Sequence, residues 1–328
     1  MTAWRSGALV VALGLLSAPG ALAADATGGV VPHSRLFAFD DEEVLESSGL
    51  VDRGEVVYTV NDSGGEPTVY GVDARTGRTT SRTTYAEDAT DVEALAPGRA
   101  GTVWVGDIGD NRRNRDEVSV YRVRPDGGEQ PAQRYRLTYP DGPHDAETLL
   151  VHPRSERVFV VTKSVFGGRV YAAPPVLRAG SANRLAPFAD VRGLVTDGSF
   201  YPDGRHVVLR TYGRATVHTF PGFRGRGTVR LPPQPQGEGI AVSSTGRVLV
   251  SSEGVRAEVL EVRLPDALTA PLATRESAPT PPTPQPAAGR PDPRSARDWA
   301  GVALAAAAVA GVGYLAVRHS RVRGPGRR

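Results

Sequence analysis

The hexapeptide DVEALA, residues 91–96, recurs in altered form along this 328-residue chain. The other copies, in chain order, are ESSGLV at residue 46, DAETLL at 145, TDGSFY at 196 and GEGIAV at 237. Each copy has an acidic residue, one or two small residues and then an apolar residue. The apolar anchors Leu50, Leu95, Leu149, Phe200 and Ile240 lie 45, 54, 51 and 40 residues apart. This spacing is typical of β-propeller blades.

Each copy is followed by further runs of β-branched and aromatic residues that end at Gly, Pro, Asp or Asn. The second runs are EVVYTVND, GTVWVGD, ERVFVVTK, RHVVLRTY and GRVLVSSE. The third runs are PTVYGVD, VSVYRVR, GRVYAAP, ATVHTFP and AEVLEVR. A weaker fourth run closes four of the units: RTTSRTTY, QRYRLTY, NRLAPFA and GTVRLPP. Runs of this kind indicate β-strands, so each repeat predicts a four-stranded sheet.

The fifth repeat lacks a fourth run, and a candidate for the missing strand lies at the front of the chain. The stretch SRLFAFDD, residues 34–41, precedes the first repeat and has no other strand to pair with. A strand that completes the last blade in this way closes the ring of a propeller. We therefore predict an all-β propeller of five four-stranded blades within residues 24–272. Six blades are the alternative if residues 165–195 contain further strands, and a β-sandwich is the less favoured fold.

Both ends of the chain have the patterns of targeting and anchoring segments. Residues 1–23 combine Arg5, an apolar run and a final ALA motif, which predicts a secretory signal peptide. Residues 273–297 are rich in proline and predict an extended stalk. Residues 299–317 are uncharged and long enough for a transmembrane helix, and the tail at 318–328 carries five arginines. By the positive-inside rule this basic tail is cytoplasmic, so we expect a single-pass cell-membrane protein whose N-terminal domain is extracellular.

The composition narrows the classes of function. The chain has 39 basic and 36 acidic residues, a formal net charge of +3. Arg5 and the five tail arginines supply six of the positive charges, so the region between them is mildly acidic and nucleic acid is not an expected partner. Cysteine is absent from the sequence, which excludes disulfides and thiolate metal sites.

Charged side chains from all five repeats should converge at one end of the predicted channel. Adjacent strands in a blade are antiparallel and the first strand lines the channel, so first strands begin and second strands end on the same face. The acidic residues at the starts of the first strands are Glu46, Asp91, Glu93, Asp145, Glu147, Asp197 and Glu238. The polar residues after the second strands are Asn61, Asp62, Asp107, Asp110, Asn111, Lys163, Arg210, Tyr212 and Glu253.

We expect a cation among these carboxylates, because neighbouring like charges raise one another's pKa. Calcium is the natural candidate, since it takes about six to eight oxygen ligands from Asp, Glu, Asn and carbonyl groups. The second repeat is the densest source, and the predicted metal ligands are Asp91, Glu93, Asp107, Asp110 and Asn111. The structural alternative is that these residues bond backbone amides, with GDIGDN at 106–111 forming only a turn. The arginines that follow GDIGDN are expected to face solvent.

The later repeats offer cations where the first two offer Asn and Asp. This asymmetry sets an anionic half of the face against a cationic half, which suits an anionic ligand bridged by a metal. The predicted ligand-binding residues are Lys163, Arg210, Tyr212, Glu147 and Glu238. His144 is a candidate general base, although an exposed turn histidine is the more common situation.

The GDIGDN loop, YPDGPHDAETLL at 139–150 and QGEGIAV at 236–242 resemble a widespread set of exported actinobacterial β-propeller proteins that are largely uncharacterised. More distantly, a propeller with acidic residues around its channel is similar to the phytase-like and gluconolactonase-like propellers. That similarity implies channel-face Glu, Asp and Asn that hold calcium, and hydrolysis of phosphate esters or lactones. The sequence has neither the aspartate string of phytases nor a positional match to the four lactonase ligands, so catalytic roles are not carried over.

The sequence thus predicts a membrane-anchored extracellular propeller that binds calcium and an anionic ligand or partner through its acidic channel face. The alternative is a calcium-dependent hydrolase of the phosphoesterase or lactonase type, and a third possibility is a structural or adhesive module. The binding module is favoured, because no complete set of nucleophile, base and orienting residue is recognisable. Whether the protein is an enzyme stays open at this point.

Overall fold

A computed structural model of the chain describes residues 29–62, 66–85 and 89–270. The strands in these ranges are β1 (His33–Ala38), β2 (Ser47–Asp52), β3 (Val56–Asn61), β4 (Thr68–Asp73), β5 (Thr79–Thr84), β6 (Val92–Pro97), β7 (Val103–Asp107), β8 (Val118–Val123), β9 (Gly128–Glu129), β10 (Gln133–Thr138), β11 (Ala146–Val151), β12 (Val158–Thr162), β13 (Gly168–Ala172), β14 (Asn183–Arg184), β15 (Ala186–Val191), β16 (Asp197–Phe200), β17 (His206–Thr211), β18 (Arg214–Thr219), β19 (Gly225–Arg230), β20 (Gly237–Val242), β21 (Val248–Ser252) and β22 (Glu258–Val262). One turn of 3₁₀ helix, Asp266–Leu268, follows the last strand.

The predicted signal peptide, stalk, transmembrane helix and tail (1–23, 273–297, 299–317 and 318–328) lie outside the described residues. Within the described ranges, no helix has the length and apolar character that crossing a membrane requires.

The strands form five sheets, which confirms the five-bladed propeller. Blades 1 to 4 are β2-β3-β4-β5, β6-β7-β8-β10, β11-β12-β13-β15 and β16-β17-β18-β19, and blade 5 is β20-β21-β22-β1. The stretch 165–195 supplies the outer half of blade 3 rather than a sixth blade. Its short strand β14 adds to the outer edge of blade 2, and β9 adds in the same way to blade 1.

The ring closes through the N-terminal strand, as predicted. Strand β1 pairs antiparallel with β22, from His33 opposite Val262 to Ala38 opposite Glu258. The two ends of the described chain therefore hold each other in one sheet. Opening the ring requires breaking this ladder, which pairs the outer edge of β22.

The apolar core consists of five clusters, one at each interface between neighbouring blades. The inner strands β2, β6, β11, β16 and β20 contact one another in turn, and β20 contacts β2. Because both faces of an inner strand are covered, every residue of β2, β11 and β20 is buried. This packing fixes the starts of the five inner strands around one opening, which we call the mouth face.

Arginines tie the blades together on the opposite face, in the turns after the inner strands. Arg247 of blade 5 donates two hydrogen bonds to Asp52 of blade 1, at 2.8 and 2.7 Å. Arg53 of blade 1 donates to the Gly98 carbonyl of blade 2 at 2.6 Å. Arg154 of blade 3 reaches a carbonyl of blade 4 at 2.8 Å. The charged groups of this face thus serve the joints between blades.

Candidate functional site

Three glutamates sit at irregularities in the inner strands at the mouth face. The pairing of β6 with β7 skips Glu93, that of β11 with β12 skips Glu147, and that of β20 with β21 skips Glu238 and its neighbour. Such a β-bulge re-aims a side chain that would otherwise follow the alternation of the strand. All three glutamates are buried, with 3, 5 and 4% of their surface exposed. The corresponding bulge in blade 1 carries Ser48.

Carboxylate oxygens of Asp62, Asp91 and Glu93 lie within 4.8 Å of one another. Asp62 follows β3 of blade 1, and the other two residues flank the start of β6 in blade 2. A Cβ atom at Gly109 would lie 2.5 Å from the Asp91 carboxyl and 2.7 Å from the Glu93 carboxyl, so a glycine at this position leaves room for both groups. Oxygen donors from three carboxylates fit a hard cation such as calcium.

The Glu93 carboxyl is the group most perturbed by this arrangement. Burial raises the pKa of Glu93 to about 10, and the charges of Asp62 and Glu147 add to the effect. No donor among the described residues forms a hydrogen bond to this carboxyl group. The site therefore contains a buried acid that only a proton or a cation neutralises.

Burial also raises the pKa of other acids of the mouth, among them Glu147, Glu238 and Glu253. Burial raises the pKa of Glu147 to about 8, although the hydrogen bond and charge of Lys163 act in the opposite direction. Burial and the charges of Glu238 and Asp62 raise the pKa of Glu253 to about 7. The mutual repulsion thus extends across the mouth to blade 5, and a bound cation would relieve it.

Lys163 provides a positive charge within the mouth, and it is the single lysine of the chain. Its ammonium group donates a hydrogen bond to Glu147 and lies 5.7 Å from the centre of the Tyr212 ring. Burial acts to lower the pKa of Lys163, but the bond to Glu147 outweighs it and the pKa is raised. The structure therefore brings together the predicted residues Lys163, Glu147 and Tyr212. Glu238 is near enough for its charge to act on Lys163.

Arg210 occupies a different environment from the other predicted ligand-binding residues. It is fully buried, and its guanidinium donates to the carbonyls of Gly239 at 2.6 Å and Ser251 at 2.8 Å and to the Gln234 side chain at 2.8 Å. Burial lowers the pKa of Arg210 to about 10. The structure places this arginine in the joint between blades 4 and 5, beneath the mouth.

The loop at 106–111 uses its aspartates to bond backbone amides. Asp107 is fully buried, accepts a hydrogen bond from the Asp91 amide at 2.9 Å and forms an ion pair with Arg115 at 2.8 Å. The Asp110 carboxylate accepts from the amides of Asn114 at 3.0 Å and Arg115 at 2.9 Å. The expectation that all the loop arginines face solvent is wrong for Arg115, because the Asp107 carboxylate draws it inward.

Of the predicted metal ligands, Asp91 and Glu93 are brought together, and Asp62 joins them. Asp107 bonds the Asp91 amide and pairs with Arg115, Asp110 bonds amides later in its own loop, and Asn111 lies exposed beside them. The role of these three residues as ligands stays a prediction. Asp62 was recognisable as a residue of the mouth face, because it follows a second strand, but the sequence did not assign it to the metal.

His144 is partly buried and bonded rather than free in a turn. Its Nε2 atom lies 3.0 Å from Asp141 Oδ1 and 3.0 Å from the Tyr171 hydroxyl. The Tyr171 hydroxyl also donates to Asp141 Oδ2 at 2.8 Å. These three side chains form a polar network next to the mouth.

No protein-family model matches the chain, and no curated protein matches it. Among solved structures, the chain is similar to a luciferin-regenerating enzyme at 12% identity, over 66% of this chain and 78% of that one, with a TM-score of 0.43. It is also similar to a gluconolactonase from Xanthomonas campestris at 18% identity, over 66% and 70% of the two chains, with a TM-score of 0.42. Both likenesses are distant, and the function has to be derived from the residues of this chain.

Proposed function

We propose that this protein is a calcium-binding β-propeller that binds an anionic ligand or partner at its mouth face. The cation is held by Asp62, Asp91 and Glu93. The observation that carries the proposal is Glu93, which is buried at a bulge and meets two other carboxylates within 4.8 Å. Keeping such a carboxylate ionised without a partner costs several kcal/mol, whereas a divalent cation with oxygen ligands stabilises it.

The proposed setting is the outer surface of the cell membrane. It rests on the sequence patterns of residues 1–23 and 273–328, which are those of a secreted and then anchored chain. Calcium sites of extracellular modules typically have a Kd of about 0.1–1 mM, because calcium is plentiful there and tight binding is not needed. Three carboxylates without a dedicated loop are compatible with this range.

The ligand is proposed to lie between the cation and Lys163. An ammonium group acts as a compact point charge for carboxylate or phosphate oxygens. The exposed Tyr212 ring beside it offers an apolar surface for the body of the ligand. Because Glu147 already neutralises Lys163, the bound cation supplies the excess positive charge that an anion requires.

Calcium titration of the metal-free full chain tests the proposal. We expect calorimetry to show saturable calcium binding. At a free calcium concentration of about ten times the Kd, the folded protein should be stabilised by about 1.4 kcal/mol, which raises Tm by about 3–5 °C. Glu93→Gln should weaken binding at least about tenfold, since it removes one charged ligand. Glu258→Gln is the matched control, because Glu258 is half-exposed on β22. Equal calcium affinity in wild type and Glu93→Gln would overturn the assignment.

A calcium-dependent hydrolase is the second candidate, and Glu147 is the observation that favours it. Its pKa of about 8 suits a group that exchanges a proton near neutral pH. Calcium would polarise a phosphoryl or carbonyl oxygen of the substrate. Phosphate esters and lactones should be screened with calcium and with chelator. Turnover that needs calcium and disappears in Glu147→Gln establishes the hydrolase, and no turnover in either condition leaves the binding module.

A further inference from the structure

A pocket opens beside the mouth, between the loop after β7 and the loop after β12. Its volume is about 300 Å³. The side chains that matter here are Arg113, His144, Lys163, Arg169 and Tyr171, which come from blades 2 and 3. None of them belongs to the group Asp62, Asp91 and Glu93. The pocket is small, at the lower end of the range for ligand sites.

Arg113 is the cation of this pocket whose donors are unused. Among the described residues, its guanidinium has neither an ion pair nor a hydrogen-bond acceptor. Arg169, in contrast, pairs with Asp190 at 2.9 Å and lies 3.6 Å from Asp141. Lys163 is bonded to Glu147. An incoming acceptor therefore meets one free guanidinium and two cations that already have anionic partners.

The backbone of Arg113 is held in a conformation that ordinary residues avoid. Its φ is 52°, in the left-handed region, and a non-glycine residue there costs about 1 kcal/mol. The surrounding bonds enforce it: the Arg113 amide donates to the Asp110 carbonyl at 2.8 Å, and the Asp110 carboxylate accepts the next two amides. The loop is thus built rigidly and presents Arg113 to the pocket.

The acids around the pocket are largely compensated. Asp141 accepts hydrogen bonds from Tyr171 and His144, which keep its pKa low despite the opposing effect of burial. Asp190 is paired with Arg169. Asp145 accepts the Asp110 amide at 3.0 Å. Together with Arg113, these compensated pairs leave the pocket open to a negative charge.

We propose that this pocket is a binding site for a small oxyanion, the phosphate or carboxylate group of a ligand. The Arg113 guanidinium provides the primary contact, with Lys163 and Arg169 beside it. A guanidinium presents parallel N–H donors that match two oxygens of such a group. The site does not depend on calcium, because its residues differ from the proposed cation ligands. It gives the loop at 106–115 a role: its aspartates build the turn and Arg113 contacts the ligand.

The single lysine makes a direct test possible. Reductive methylation of the full chain with ¹³C-formaldehyde labels Lys163 and the N-terminal amine and preserves both charges. Titration with sodium phosphate at constant ionic strength should shift the Lys163 resonance to saturation, in the presence of chelator as well as of calcium. A parallel titration with sodium acetate identifies the group. Tighter phosphate binding assigns a phosphate, and tighter acetate binding assigns a carboxylate.

Substitutions in the loop separate a specific site from general electrostatics. Arg113→Gln should lower the affinity for the more tightly bound of the two anions about tenfold, which corresponds to one lost charge-assisted contact. Arg113→Gly, which tolerates the positive φ, should show the same loss with an unstrained backbone. Arg112→Gln is the matched control: it removes the same charge from the same loop, does not line the pocket, and should change affinity less than about twofold.

Two results would overturn the proposal. One is the lack of a saturable shift with either anion, and the other is equal weakening by Arg112→Gln and Arg113→Gln. Loss of calcium binding in Glu93→Gln with intact anion binding would leave this site standing, so the proposed cation site and this site fail separately. Lys163 also borders the ligand proposed for the mouth, and anion binding that needs calcium would support that ligand and contradict this site.

Discussion

Replacing Glu93 by glutamine should stabilise the metal-free protein, and by a larger amount at higher pH. Burial and neighbouring carboxylates raise the pKa of Glu93 from 4.5 to about 10. The folded state therefore keeps a proton that the unfolded chain releases above about pH 4.5, so the stability associated with this group is lost as the pH rises from there toward 10. Glutamine has nearly the same shape and no proton to lose.

The size of the effect follows from the linkage between protonation and folding. One group with a raised pKa changes the free energy of unfolding by about 1.4 kcal/mol for each pH unit between its two pKa values. From pH 5.5 to 7.5, the advantage of Glu93→Gln over the wild type should grow by about 1.5–3 kcal/mol. The lower figure applies if Asp62 and Asp91 take up part of the proton binding.

Urea unfolding in the presence of chelator at the two pH values measures this difference. Glu258→Gln changes a half-exposed carboxylate on β22, and its free energy of unfolding should differ from that of the wild type by the same amount at both pH values. If Glu93→Gln destabilises the protein equally at pH 5.5 and 7.5, burial does not raise this pKa and the reasoning fails. Saturating calcium should reverse the order of stability, because only the wild type then keeps its full set of ligands.

Further substitutions test the joint between blades 5 and 1, the buried His218 and the room that Gly109 leaves for the proposed calcium ligands. Arg247→Met should lower the free energy of unfolding, measured with urea, by about 2–3 kcal/mol, because the fully buried Asp52 carboxylate loses its bidentate partner. The loss is moderate because the Arg247 side chain is a quarter exposed. A double-mutant cycle with Asp52→Asn should give a coupling of about 2 kcal/mol, and a coupling of zero would contradict the tie between blades 5 and 1. Burial lowers the pKa of His218 to about 4, so the wild type loses stability as the pH falls below 6.5. The free energy of unfolding of His218→Leu should therefore rise by about 2 kcal/mol relative to that of the wild type between pH 6.5 and 5. If this difference is the same at both pH values, His218 is not desolvated. Gly109→Ala should weaken calcium binding about tenfold in calorimetry, because the added methyl group displaces the Asp91 carboxyl, and unchanged affinity would mean that this carboxyl is not a ligand.

Most of the fold follows from local sequence patterns. The repeated acidic–small–apolar hexapeptide marks the inner strand of each blade, and the runs after it match the second and third strands in every blade. Even the closing strand, SRLFAFDD, was recognisable because it had no partner nearby. These features depend on short-range alternation and turn residues, which a single sequence displays directly.

The candidate site was predictable only in part. The residues of the mouth face follow from blade topology, and Glu147, Lys163 and Tyr212 do meet there. Asp62 belongs to blade 1, whereas Asp91 and Glu93 belong to blade 2. Strand order predicts that these residues lie on the same face, but it does not show that their carboxylate oxygens converge. Composition also gave no sign that Arg113 alone among the loop arginines would line a pocket with its donors unused.

By itself, the sequence determined the propeller repeat, the way the ring closes and the face on which the charged residues gather, because all three depend on repeat spacing and strand direction. It favoured five blades over six, and the structure decided for five by placing residues 165–195 in the outer half of blade 3. Only the tertiary structure decided what each charge does. A one-residue bulge at Glu93 accompanies the meeting of its carboxylate with those of Asp62 and Asp91, and packing between blades buries Arg210 on carbonyl groups. The aspartates of the loop at 106–111 accept hydrogen bonds from backbone amides. These outcomes depend on register and burial between distant segments, where a shift of one residue exchanges a solvent-facing carboxylate for a buried one.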